Sequence, residues 1–374
     1  MNKIKGELKM PTKILYEGVP YFHPGLLLKD ILESRGIEQK DLAQRTGFSE
    51  KHISFIITGK NDITPSFAEK IAIALNENSI TWLNMQSEYN NIKEQIALKD
   101  CLSKETEILD LYPIKDMIKY KLIEKSKEKW KQLKSLMSFL GIGDISKIRQ
   151  FSTELCLVKY RKLESSDTKE ATSVLHIWGK KIAESNHLSN PYNKEKLELA
   201  IKTIRHNMKL PFVEALELIK KSLADAGVIF VFTPKIQKAS ASGFCYKYKN
   251  NYVIHLNSRT VQIDTFWFSL FHELSHVLDD DIGKEESSDL EKKSDNYARN
   301  IIIEDAYWDE YWFRHAEKYS VDNVTQISKI KQIPIECVIG RLQKEGKVLY
   351  NNISLNKLKK NIKLDNFDGI DFNI

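Results

Sequence analysis

Cysteine is scarce in this chain of 374 residues: Cys101, Cys156, Cys245 and Cys337 lie far apart and form no CxxC pair. That spacing argues against a disulfide framework and against a cysteine-based zinc site, and leaves mostly small buried hydrophobes. Proline and glycine are also few, at 9 and 15, so a mainly helical soluble protein is the expectation. Long apolar runs are missing too. The longest, Phe266 to Leu278, is broken by His272, Glu273 and His276 and is too short to span a bilayer. The first 13 residues alternate lysine with apolar residues, without the continuous hydrophobic stretch of a secretory signal. A cytoplasmic location and no membrane partner follow as expectations, and no internal repeat is apparent.

What is present is a hydrophobic content of 42%, enough for two or three domains with cores of their own. Charged residues make up 29%, spread along the chain, and the net charge of +6 permits contact with nucleic acid without requiring it. Residues 23 to 90 read as short amphipathic helices separated by turn residues. Leu26, Leu27, Ile31 and Leu32 form a first stripe ended by Gly36. Gln39 to Arg45 makes a second helix, Gly47 a turn, and Ser49 to Thr58 a third, capped by Ser49 and with Ile53, Ile56 and Ile57 inward. Thr64-Pro-Ser opens a fourth, and Ile80 to Tyr89 makes a fifth.

From Asn91 to Leu223 more helices are expected. Lys115, Lys119, Lys121, Lys125, Lys127, Lys129, Lys131 and Lys134 make the first of them basic, which reads as a solvated face or as a DNA-backbone contact. At Gly227 the pattern changes. Val228 to Phe232 and Tyr252 to Leu256 are short apolar runs of strand type, with a loop expected over Ser240 to Cys245. Helices follow around Glu291 to Ile303 and from Val324 to Glu345, the latter a pair joined near Pro334.

Residues 272 to 276 read His-Glu-Leu-Ser-His. Two histidines four apart on a helix share a face, so both imidazoles can reach one metal ion. Glu273 sits beside the first, where its carboxylate can take a proton from a water on the metal. Leu270, Leu274 and Val277 lie on the opposite, packing face. A zinc peptidase needs a third ligand and an open position. Asp279 and Ile282 stand where an HExxHxxGxxH enzyme has glycine and histidine, so that class is excluded. Glu291 is the candidate third ligand, with Asp295 one turn on as an acceptor for a ligand histidine. A solvated acidic face over Glu285, Glu286, Asp289, Glu291 and Asp295 is the other reading of the same residues.

The run Phe266-Trp-Phe-Ser-Leu-Phe-His-Glu-Leu-Ser-His276, with Glu291-x-x-Ser-Asp-x-Tyr-Ala298 after it, resembles the ImmA/IrrE family of bacterial metallopeptidases. Ser242-Gly-Phe, Ile254-His-Leu-Asn-Ser-Arg259 and Ile339-Gly-Arg-Leu-Gln343 extend the likeness over most of the chain. The resemblance implies Zn2+ held by His272, His276 and Glu291, Glu273 as general base, and a protein substrate, since known members cut a partner transcription repressor. Ser294 and Tyr297 depart from the family's alanine and phenylalanine. An oxyanion-stabilising group is open among Tyr246, Tyr248, His255 and Tyr297.

Gln39-Lys-Asp-Leu-Ala-Gln-Arg-Thr-Gly-Phe-Ser-Glu-Lys-His-Ile-Ser54 has two helices about a glycine turn, with small Ala43 where they cross. It resembles the Cro/cI-type helix-turn-helix, and His23-Pro-Gly through Trp82-Leu-Asn-Met-Gln86 is similar to HigA-type antitoxin repressors. By that likeness Gln39 touches a phosphate, Ser49, Lys51, His52 and Ser54 face the major groove, and Lys60 contacts the backbone. Operator DNA is then a partner, and a palindromic site calls for a homodimer. The block from 23 to 90 holds seven basic and nine acidic residues, so reuse of the fold for protein contact is the alternative.

The expected fold is mainly α with a small β-sheet in the C-terminal domain (α+β). It comprises a polar leader (1–22), an all-α helix-turn-helix domain (23–90), a helical middle (91–223), a zincin-like metallopeptidase domain (224–350) and a tail (351–374). The expected function is a DNA-binding transcriptional regulator fused to a zinc endopeptidase in a toxin-antitoxin, phage or stress circuit. A non-enzymatic repressor or antitoxin with a structural zinc is the alternative.

Overall fold

The computed structural model describes residues 12–159, 168–186, 188, 190–239, 243–258, 262–282, 288–315 and 319–360, in two units, Met1–Thr106 and Glu107–Ile374. The expected mainly helical α+β class is the observed one. Among the described residues no helix is long and apolar enough to cross a membrane.

Within the expected polar leader (1–22), the described residues of the first unit form a hairpin. β1 (Lys13–Tyr16) pairs antiparallel with β2 (Val19–Phe22) across Glu17 and Gly18, both at positive φ. Five helices follow: α1 (Pro24–Ser34), α2 (Gln39–Thr46), α3 (Glu50–Ile57), α4 (Pro65–Leu75) and α5 (Ser79–Lys104). Four of the five starts, all but that of α2, carry a side-chain cap. His23 Nδ1, Ser49 Oγ, Thr64 Oγ1 and Asn78 Oδ1 accept the free amides of Gly25, His52, Phe67 and Ile80. Gly47, at φ 72°, ends α2 in the left-handed region that costs a residue without Cβ least. Leu28, Leu42, Ile53, Ile56, Phe67 and Ile71 have no exposed surface and form this unit's core. The unit divides after Thr106 rather than near residue 90, because α5 continues fifteen residues past the expected Tyr89 end.

In the second unit the expected middle and peptidase-like regions form one body. Its opening helices are α6 (Ile114–Lys119), α7 (Lys129–Leu140), α8 (Ile148–Lys159), α9 (Lys169–Ser185), α10 (Lys194–His206) and α11 (Phe212–Asp225). All eight lysines of the basic stretch are exposed. The sheet has the order β3 (Val228–Thr233), β5 (Asn251–Asn257), β4 (Gly243–Tyr248), with β3 parallel and β4 antiparallel to the central strand. β4 therefore takes the last three residues of the expected loop. Gly243-Phe-Cys-Tyr-Lys-Tyr248 alternates so that odd positions face one side and even positions the other, a pattern masked by the small residues before it.

Then come α12 (Ile263–Asp279), α13 (Ser288–Ile302), α14 (Asp305–Arg314), α15 (Val321–Lys331), α16 (Ile335–Lys344) and the one-turn α17 (Ile353–Asn356). Val228, Phe230, Phe232, Ile254 and Leu256 make the sheet face that packs on Phe266, Leu270, Leu274 and Val277 of α12 in one large core. The opposite face, with Val231, Val253 and His255, is covered by α9. Gly179 of α9 lies so close that a Cβ there would fall 1.9 Å from His255 Nδ1.

The C-terminal carbonyls of α13 are held from two sides. Arg205 of α10 donates to Ile301 O (2.7 Å) and Ile302 O (2.8 Å), and Arg341 of α16 to Ile303 O (2.6 Å). Arg341 also meets Asp305 Oδ1, while Arg299 pairs with both oxygens of the same carboxylate. The Arg299 hydrogen bonds, then those of Asn300 and the charge of Arg341, hold the Asp305 carboxyl well below the usual carboxylate range despite partial burial. A depressed carboxyl stabilises the fold above its unfolded pKa of about 4, and that contribution is lost as pH falls toward the lower folded value. Asp305→Ala is therefore expected to cost about 1 kcal/mol at pH 7, discounted for partial exposure, and to flatten the acid side of a stability-versus-pH curve measured by urea denaturation.

Candidate functional site

His272 and His276 lie one turn apart on α12, and the contact of α12 with α13 brings Glu291 to the same spot. Their ligand atoms form a small triangle. His272 Nε2 is 3.2 Å from His276 Nε2 and 3.4 Å from Glu291 Oε2, and His276 Nε2 is 3.6 Å from Glu291 Oε1. Among the described residues this is the group of three such side chains able to hold one metal ion. Each imidazole is braced from behind. Asp295 Oδ1 lies 2.9 Å from His272 Nδ1, and Asp281 Oδ1 lies 3.0 Å from His276 Nδ1. A ring nitrogen that donates to a carboxylate leaves its Nε2 lone pair directed at a cation. Burial lowers the pKa of His272, but Glu291, Glu273 and Asp295 outweigh it and lift it to about 8.

Asp281 was not foreseen. It follows the left-handed Asp280 that ends α12, so no helical periodicity connects it to His276. Only 7% of it is exposed, and its Oδ2 has no hydrogen-bond partner. A buried, half-satisfied carboxylate is costly unless positive charge stands nearby. The donor set therefore fits a divalent ion: two imidazoles, one carboxylate, and two further carboxylates behind the rings.

Glu273 points between α12 and β4. Burial raises its carboxyl above the usual range against the pull of His272 and His276, and the Cys245 thiol donates a hydrogen bond to it. A Cβ at Gly243 would lie 2.3 Å from Leu256 Cδ2 and 3.3 Å from Glu273 Oε1, so this glycine brings β4 close to both. Residues 243 and 245 thus share the face turned to Glu273, and strand alternation sends 244, 246 and 248 to the other. This removes three of the four oxyanion candidates. Tyr246 and Tyr248 are on the far face. His255 is fully buried beside Thr233 Oγ1 (2.8 Å), and burial pulls its pKa down to about 3. Tyr297 lines a hollow with Arg205 and His206 on another side of α13 from Asp295. Ser294 is buried 3.5 Å from His276 Nδ1. Ser242, Arg259, Glu285 and Glu286 lie outside the described residues.

In the first unit Ser49 and Lys51 are exposed on α3, Ser54 is half-buried there, Gln39 opens α2 half-buried, and Lys60 is exposed after α3. His52 is turned inward. Its ring stacks on Phe48 at 5.0 Å and meets Phe67 edge-on, and its Nε2 is buried, which leaves no ring nitrogen edge for a base contact from that atom. Phe55, not singled out in the sequence, carries Lys51 and Lys60 over its ring at 5.5 and 5.4 Å, gathering two cations on one surface.

A helix-turn-helix family model matches residues 28–83. Virulence-associated protein A' of Dichelobacter nodosus is 35% identical over 80 residues, 21% of this chain and 70% of that protein. The chain belongs to the helix-turn-helix family. A solved structure from Nostoc punctiforme, described as an antidote protein of a plasmid maintenance system, is 27% identical, covers 24% of this chain and 94% of its own, and superposes with a TM-score of 0.21. The helix-turn-helix makes the first unit that of a DNA-binding regulator.

Two outcomes follow. In a helix-turn-helix that contacts the DNA backbone through Lys60, Lys60→Ala lowers affinity for every DNA sequence and reduces the slope of log K against log salt by about 1, whereas His52→Ala chiefly lowers the melting temperature. If the triangle of His272, His276 and Glu291 holds a metal ion, Asp281→Asn is expected to weaken its binding about 10- to 100-fold, read by chelator competition.

Proposed function

We propose that this chain is a DNA-binding transcriptional regulator joined to a zinc-dependent endopeptidase that cuts a protein partner, in a circuit of the toxin-antitoxin, phage or stress type. The observation that carries this is the convergence of His272, His276 and Glu291, with Glu273 beside them yet outside the triangle. Three donors leave a coordination position open, as hydrolytic zinc sites need and closed structural sites do not. The relatives' descriptions as virulence-associated and antidote proteins accord with the circuit.

Zinc held by the three side chains would supply Lewis acidity toward a peptide carbonyl and a water. Glu273 Oε1 or Oε2 accepts the proton of that water, and its raised pKa suits it to pass the proton on to the departing amide nitrogen. Cys245 donates a hydrogen bond to the carboxylate, and Gly243 lies beside it on the same strand face. Asp295 and Asp281 hold both imidazoles with Nε2 inward. Operator DNA is the partner of the first unit, bound by a homodimer if the site is palindromic.

The test compares wild type with Glu273→Gln and His272→Ala in the same cells. New protein N-termini are expected only with wild type. Glu273→Gln should keep about one zinc per chain and lose at least about a hundredfold in cleavage, and His272→Ala should lose the zinc. Cleavage undiminished in Glu273→Gln would refute the reading.

A further inference from the structure

The motif Ile339-Gly-Arg-Leu-Gln343 plays no part in the metal triangle, yet three of its residues line a half-open pocket of about 490 Å³. This is the size of a small organic ligand. The pocket lies among α12, α13 and α16 and reaches the back of the metal cluster, for its wall includes Asp295, whose other role is to brace His272. Phe268 and Ile302 supply apolar wall, and Tyr350, 69% exposed, stands at the mouth.

The polar groups of this wall are unevenly committed. Every positive group in its depth is taken: Arg299 by Asp305, and Arg341 by Asp305, Glu345 and Ile303 O. Lys359 is likewise held, by Asp264 Oδ2 and Gln343 Oε1, both at 3.1 Å. Lys344 is exposed at the rim, where water solvates it. The acceptors are not used up. Asp264 Oδ1 is buried in the wall and has no hydrogen-bond partner, and Asp295 meets His272 through Oδ1. Gly340 is what lets the Asp264 carboxylate sit here, since a Cβ would fall 2.1 Å from its Oδ2. Spare carboxylate oxygens beside an aromatic face and an apolar wall select a cation on an apolar stem.

We infer that this pocket binds an alkylguanidinium or alkylammonium group, presented either by a free amine or by a basic side chain of a polypeptide. The inference concerns binding alone and does not depend on the peptidase reading.

Isothermal titration of the full chain, with and without EDTA, tests it with agmatine and with the blocked peptide acetyl-Gly-Arg-Gly-amide, using glutarate as the anionic control. One saturable site is expected for the cations in both conditions and none for glutarate. The tighter of the two cations identifies the source. Asp264→Asn should weaken binding about tenfold or more, the loss of one charge-assisted hydrogen bond. Since Asp264 also pairs with Lys359, Thr265→Trp serves as a second variant that fills the pocket and abolishes binding, with melting curves checking that both variants fold. Absence of saturable binding by either cation to wild type, equal binding in both folded variants, or binding of glutarate would each overturn the inference.

Discussion

Two imidazole nitrogens held 3.2 Å apart, each backed by a carboxylate, form an arrangement that needs positive charge between them. Much of the second unit can be understood as what keeps that arrangement in place. The sheet face of Phe230, Ile254 and Leu256 buries the apolar side of α12 and so fixes which side carries His272 and His276. The third member, Glu291, comes from a different helix, so its position depends on how α13 is anchored.

That anchoring is electrostatic at one end. The last carbonyls of a helix have no partners within it, and here guanidinium groups from α10 and α16 take them. Arg205 and Arg341 thereby tie α13 to elements more than thirty residues away on either side in sequence. Asp305, shared between Arg299 and Arg341, joins the same clamp to the start of α14. At the end of α12, Asp280 meets Tyr252 and Lys247 from the sheet, and the turn it makes delivers Asp281 to His276.

The sequence was most legible where one element carries the whole pattern. The four-residue spacing of His272 and His276, the caps at Ser49 and Thr64, and the glycine turn at Gly47 are local, and each appears as the chemistry of its residues requires. Glu291 and Asp295 were readable because they too share one helix face. Legibility failed where long-range packing decides. Asp281 lies past a left-handed turn, the hairpin Lys13–Phe22 lacks a hydrophobic stripe, and β4 is short and contains Gly243 and Cys245. His52 looked like a polar side chain on a recognition helix, but Phe48 and Phe67 offered its ring a stacking site. The face on which Tyr246 and His255 fall depends on strand register, which single residues do not reveal.

One chain carries a helix-turn-helix unit and a three-donor cluster, and the proposal that this cluster is a zinc site is the central claim. Zinc X-ray absorption on the purified full chain probes it most directly. The account predicts about one zinc per chain in a shell of nitrogen and oxygen only, at about 2.0–2.1 Å, with two imidazoles contributing. A sulfur shell near about 2.3 Å, or a chain that binds no zinc when it is supplied, would contradict it.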